Sequence, residues 1–234
     1  MSAMYVLMGS FRLWIGIVIT LILFSCSYYP KEKPLANFQD NNGVIILSSS
    51  YRMGRDTIEF RRILKDGPKI IVQHGQLFTG QYAMGYQRLN ILAELRYEKK
   101  VLDSLSDAYQ SQGFVSGIAN TPVILFVQIA PDSAMSELQY FGFLNLRQRM
   151  EDKIHTSLQV ENIGEWIGGD MGAGANMLFS VNDWDAAQAK VLAILTEEQL
   201  RDHVLIAKRI MISEDDFWYE VTYPVTYQGV FNSM

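Results

Sequence analysis

The stretch 122-PVILFVQIA-130 sets the reading of the whole chain. It is an unbroken apolar run of strand length, which suits a strand covered on both faces. Pro131, Asp132 and Ser133 follow as a helix-start signal. Met135, Leu138, Phe141 and Leu144 then recur at every third position, and Met150 and Ile154 extend the face, predicting a helix over roughly 133–156. The runs 159-QVENIGEWIG-168 and 177-MLFSV-181 read as two strands, joined by the glycine-rich 168-GGDMGAGAN-176. Asn182 and Asp183 are good N-cap residues for a second helix with Ala187, Val191, Ile194 and Leu195 on one face. The runs 203-HVLIAKRIMI-212 and 217-FWYEVTYPV-225 close the series as strands. The order is β-α-β-β-α-β with an extra C-terminal strand, an α+β fold class.

That order resembles the ferredoxin-like split-βαβ architecture over residues 118–234. The resemblance is one of topology and carries no function by itself.

Upstream, residues 43–117 hold shorter runs broken by turn signals. The runs are 44-VIIL-47, 57-TIEFRRIL-64, 69-KIIV-72, 91-ILAELRY-97 and 101-VLDSL-105, with Asp66-Gly67, His74-Gly75 and Gly80 between them. Asp-Gly between two apolar runs is a hairpin signal. The region reads as a small antiparallel β-meander. Gly75, Leu77, Phe78, Thr79 and Gly80, followed by Glu94, Tyr97, Asp103, Tyr109 and Gly113, resemble the MORN-type repeats of bacterial antitoxin-like lipoproteins. Lys99 and Lys100 stand where that pattern has a glycine, and its tryptophan is missing. An unrelated antiparallel sheet is the alternative.

Residues 1–26 read as a targeting segment. Arg12 precedes the apolar run 13-LWIGIVITLILF-24, whose 12 residues suit a signal-peptide core and fall short of a membrane span. The run ends in 23-LFSC-26, which resembles the lipobox of bacterial lipoproteins, with Leu23 and Ser25 fitting and Phe24 bulkier than usual. The resemblance implies a lipid on Cys26, the sole cysteine of the chain. The alternative is an uncleaved anchor, since the apolar stretch through Tyr29 reaches 17 residues. Either reading places the remainder outside the cytoplasm, in a bacterial cell envelope. Residues 27–42, with two prolines and mixed charges, read as a flexible tether.

Hydrophobic residues make up 49% of the 234, charged residues 19%, and the net charge is −5. A packed core is within reach of this composition, and no basic face for nucleic acid is indicated. A lone cysteine excludes an internal disulfide.

The glycine run offers Gly172 and Gly174 as G-x-G, but Met177 stands at the third position, no Lys-Ser or Lys-Thr follows, and a strand pattern succeeds it. It reads as a hairpin loop whose glycines supply positive φ. The acids of 182-NDWD-185 lack the remaining ligands and the glycine of a calcium loop. His74 (in a turn with Gly75), His155 (near a helix end) and His203 (at a strand start) lack metal-ligand spacing. No catalytic constellation, metal or cofactor is expected. Exposed Trp and Tyr favour binding surfaces, so Trp166, Asp170, Asn176, Trp218 and Tyr219 are the candidate partner-binding residues. The expectation is a lipid-anchored, non-enzymatic module for a protein partner, an immunity protein facing a basic toxin being the specific version. The alternative is an envelope enzyme or small-ligand sensor using a cleft beside residues 168–176.

Overall fold

The computed structural model describes residues 35–36, 38, 43–81, 84–116, 123–131, 136–172, 174–211 and 217–231. Cys26 and the apolar run before it lie outside the described residues. The described residues belong to one compact unit, Pro34–Met234, built of two antiparallel sheets and three helices, a mixed α+β structure.

The first sheet contains β1 (Ile45–Met53), β2 (Thr57–Asp66), β3 (Lys69–Phe78) and β4 (Tyr86–Arg96), paired in chain order, with the short β10 (Gly229–Val230) added against β4. Asp66 pairs with Lys69, so the hairpin turn is Gly67-Pro68, with Gly67 at φ 54°. Proline cannot take positive φ, which selects the turn whose first central residue alone is left-handed. His74-Gly75 was expected in a turn and instead lies inside β3. Gly75 stands opposite Phe60, and a Cβ there would overlap the Phe60 ring, so the glycine is a packing position.

Residues 101–105 were expected to be a strand and are part of helix α1 (Lys99–Ser111). Val101, Leu102, Leu105 and Tyr109 share one helix face, which packs on Ile63, Ile70 and Val72 of the first sheet. The helix stops where Gly113 takes φ 82°. Gly113 N–H then bonds Gln110 O (3.0 Å), Phe114 N–H bonds Tyr109 O (3.0 Å), and the two rings meet at 6.1 Å. This is a glycine C-terminal cap with its hydrophobic contact.

The second sheet has the order β6-β7-β5-β8-β9, all pairs antiparallel, from β5 (Val123–Ile129), β6 (Gly164–Asp170), β7 (Ala175–Val181), β8 (Val204–Met211) and β9 (Phe217–Tyr223). The run at 122–130 is its central strand, paired on both sides. Helix α2 (Glu137–Val160) connects β5 to β6, and α3 (Trp184–Glu197) connects β7 to β8. Asp183 caps α3 by accepting from Ala186 N–H (3.0 Å), and Ala187, Val191, Ile194 and Leu195 are all buried. In α2 the buried apolar positions are Phe143, Met150, Ile154 and Leu158, whereas Phe141 is 62% exposed. A strict three-residue spacing drifts around a 3.6-residue helix, so the face expected through Phe141 turns away from the sheet.

One face of the second sheet packs under α2 and α3, with Leu125, Val127, Met177, Phe179 and Ile206 at its centre. The other face carries Phe126, Leu178, Leu205, Tyr219, Val221 and Phe231. The first sheet closes on β8 and β9 through Tyr51, Ile58, Phe60, Leu77 and Leu89, packed with Ile210 and the half-buried Trp218.

Candidate functional site

Gly168, Gly169 and Asp170 belong to β6, and Ala175 and Asn176 to β7, so the connection is only residues 171–174. Positive φ was expected for the glycines of this run, and none of Gly168, Gly169, Gly172 and Gly174 has it. Close approach is the reason for two of them. A Cβ on Gly169 would overlap Asn176 O and the Glu151 carboxylate, and one on Gly174 would overlap Ile129 O.

The polar groups of this hairpin engage one another. Asp170 Oδ1 accepts from Gly172 N–H (2.9 Å) and Asn176 Nδ2 (2.6 Å), and Asn176 Oδ1 accepts from Gln128 Nε2 (2.9 Å). Asn176 and Gln128 are buried. The arrangement ties the hairpin tip to the central strand, as buried amides require.

Trp166 is 45% exposed, and its Nε1 donates to Glu151 Oε1 (3.2 Å). Its backbone N–H donates to His155 Nδ1 (2.9 Å). Burial pushes the Glu151 carboxyl above its usual range, while Arg147 (3.7 Å) and the Trp166 N–H pull it back. Trp218 packs at the junction of the sheets, and Tyr219 is buried against Phe126 (5.1 Å) with its hydroxyl accepting from Arg209 Nη2 (2.8 Å). Trp166, Asp170 and Asn176 therefore sit on one edge hairpin of the second sheet, and Trp218 and Tyr219 on the strand at its opposite edge. The five candidates do not form one constellation, and the side chains of Asn176 and Tyr219 face the interior.

Between the sheets lies a polar network. Arg62 and Glu220 are both fully buried, with Nε to Oε1 at 2.5 Å. The Tyr51 hydroxyl donates a short bond to the second Glu220 oxygen, and Arg62 Nη2 donates to Val221 O (2.5 Å). Burial first, and then the Glu220 charge, push the Tyr51 phenol well above its ordinary range, so it stays a donor. Gln87 closes the open side of β9: its Oε1 accepts from Val221 N–H (3.0 Å) and its Nε2 donates to Val221 O (3.2 Å). The carboxamide acts as one added peptide unit along that edge.

The other sheet edges differ in cover. The outer side of β6 is met by His155, and β1 bonds Val115 reciprocally at Tyr51 (2.7 and 2.8 Å). On β4, β10 pairs at Tyr86 and Gln87, and Gln228 Oε1 accepts from Leu89 N–H (3.3 Å). Beyond Leu89, β4 presents Ile91 (61% exposed), Leu92 (54%) and Leu95 (38%) with Tyr97 just after them. A register shift opposite Val72 and Gln73 places Leu92 at a bulge. The run 91–97 predicts a strand, and its exposure is not legible in the sequence pattern, where apolar residues fall at both odd and even positions.

Among the described residues, no group of three or more His, Cys, Asp or Glu could hold a metal ion, and no helix is long and apolar enough to cross a membrane. Comparison of the chain with protein families, curated proteins and solved structures found no match.

Proposed function

We propose that this chain is a non-enzymatic protein-binding module held at a bacterial membrane by lipid on Cys26, with an immunity role against a secreted toxin as its specific form. The observation that carries the binding part is the β4 edge beyond Leu89, which no described strand pairs and on which Ile91, Leu92 and Leu95 are exposed. An apolar strand edge offers backbone donors and acceptors for strand addition, and alternate side chains for selectivity. The net charge of −5 favours a basic partner. The lipobox-like 23-LFSC-26 supports the anchor, and the likeness of 66–82 and 93–113 to MORN-type antitoxin lipoproteins supports the immunity role.

The finer fold reading belongs to the same proposal: a meander over 43–117 and a ferredoxin-like domain over 118–234. The order β6-β7-β5-β8, all antiparallel, supports the second part, because each helix joins strands separated by one intervening strand.

A photocrosslinking residue at Leu92 tests the surface, with Val160 (81% exposed) as control. A discrete adduct in cells from Leu92 and none from Val160 is expected, and equal yields at the two positions remove the surface from consideration. Cys26→Ser is expected to abolish lipid labelling and release the chain from membranes. A variant that stays bound with its N-terminus intact favours the uncleaved anchor.

A further inference from the structure

The outward face of the first sheet is only partly covered by α1. Past the helix, two rungs of polar side chains cross the strands. Arg61 pairs with Ser50 and His74, and His74 with Asn90. On the next rung Glu59 pairs with Arg52 and Gln76, and Gln76 with Arg88. Alternation puts these on the same face as Ile63 and Val72. Three arginines and a histidine thus meet one carboxylate in a chain that is acidic overall.

Two of these side chains carry a nitrogen that the fold leaves unsatisfied. Arg61 Nη1 and His74 Nε2 are each buried without a hydrogen-bond partner among the described residues. Arg52 bonds Glu59 (2.5 Å) and Gln112 O (3.2 Å), which neutralises the one nearby acid on these rungs. Phe114, itself buried, lies beneath the Arg52 and Arg61 guanidinium groups at 4.7 and 4.9 Å. The Arg61 and His74 side chains are only half-buried, and on the adjoining rung Arg52 and Glu59 are 44% and 26% exposed. A guanidinium donates only, so its partner must be an acceptor. Burial and the Arg61 charge hold the His74 ring below its usual titration range, so the neutral ring can offer an N–H beside it.

We propose that Arg61 and His74 form a binding site for a phosphate-type oxyanion, with Arg88 on the adjoining rung at its open side. A tetrahedral oxyanion supplies an acceptor to both unsatisfied nitrogens and a countercharge to the arginines. The oxyanion can come free in solution or as a phospholipid headgroup, and the chemistry at Arg61 and His74 is the same.

The test follows the ring signals of the three histidines by NMR in the full chain held in non-ionic detergent. Inorganic phosphate is titrated against chloride at matched ionic strength. His74 should shift saturably while His155 and His203 stay still. Arg61→Gln should weaken the apparent affinity at least about tenfold, the loss of one charge-assisted bond. Arg61→Lys, which keeps the charge and loses the planar fork, should fall between. His74 moving no more than the other two histidines, or Arg61→Gln titrating as the parent does, overturns the proposal. Phosphatidylcholine vesicles with and without phosphatidic acid separate the sources: a His74 shift at lower phosphate-group concentration than inorganic phosphate requires assigns a headgroup. A shift with inorganic phosphate alone assigns a soluble anion.

Discussion

The two sheets share antiparallel geometry and are held in place by different physics. The second sheet buries an apolar cluster on each face, with Met177 and Phe179 under the helices and Phe126 and Val221 on the reverse side. Its stability follows buried apolar area, which is tolerant of direction. The first sheet meets β9 through Arg62, Gln87, Tyr51 and Glu220, where each group needs one particular partner at one particular distance. Apolar faces secure adhesion, while a buried polar junction fixes which strand lies where and is unforgiving of a missing member.

The sharpest way to break the contrast is Glu220→Ala. It leaves the Arg62 charge buried and unpaired and should cost about 4 kcal/mol, read as a lowered urea midpoint. Pairing it with Arg62→Met should recover most of that loss, because neither charge then remains buried. Recovery that fails would mean the pair does more than satisfy itself. In the second sheet, Met177→Ala removes a fully buried side chain and should cost about 3 kcal/mol through lost transfer and a cavity. No second substitution on the polar junction should rescue it.

A smaller effect is expected at the start of α3. Asp183→Ala removes the acceptor for Ala186 N–H and should cost about 1 kcal/mol, with Asp183→Asn close to neutral. The least effect concerns pH on the outward face of the first sheet. Burial, and then the charge of Arg61, lower the His74 pKa from 6.5, with Glu59 opposing and Arg52 adding to the shift. A depressed pKa in the folded state means the contribution is present above 6.5 and is lost as pH falls through the folded value. Stability of the parent should therefore decline below pH 6.5 more than that of His74→Gln, measured by urea unfolding across that range.

Much of the second sheet was legible in the chain. The run 122–130 announced a strand covered on both faces, and Ala187, Val191, Ile194 and Leu195 announced one helix face, because both patterns are set by neighbours in sequence. The stretch 101–105 was misread because five residues contain too little of a helical period, and the turn at Gly113 that completes it lies eight residues on. The candidate site was legible only in part. Trp166 is exposed as expected, whereas Tyr219 and Asn176 are interior, because an aromatic or amide on a strand carries no local mark of which face is covered.

The sequence by itself determined the order of elements from β5 to β9, the acidic balance and the lone cysteine at the end of an apolar run. Tertiary structure alone decided that Arg62 and Glu220, 158 positions apart, share a buried bond, and that Glu220 and Thr222, on the polar side of β9's alternation, are covered. It also decided that Gly169 and Gly174 serve close packing and that, among the described residues, no strand other than β3 pairs with β4 beyond Gln87. The physical reason is range. Periodicity, capping and turn chemistry act over a few residues, whereas desolvation of a charge or exposure of an edge depends on what the fold brings against it.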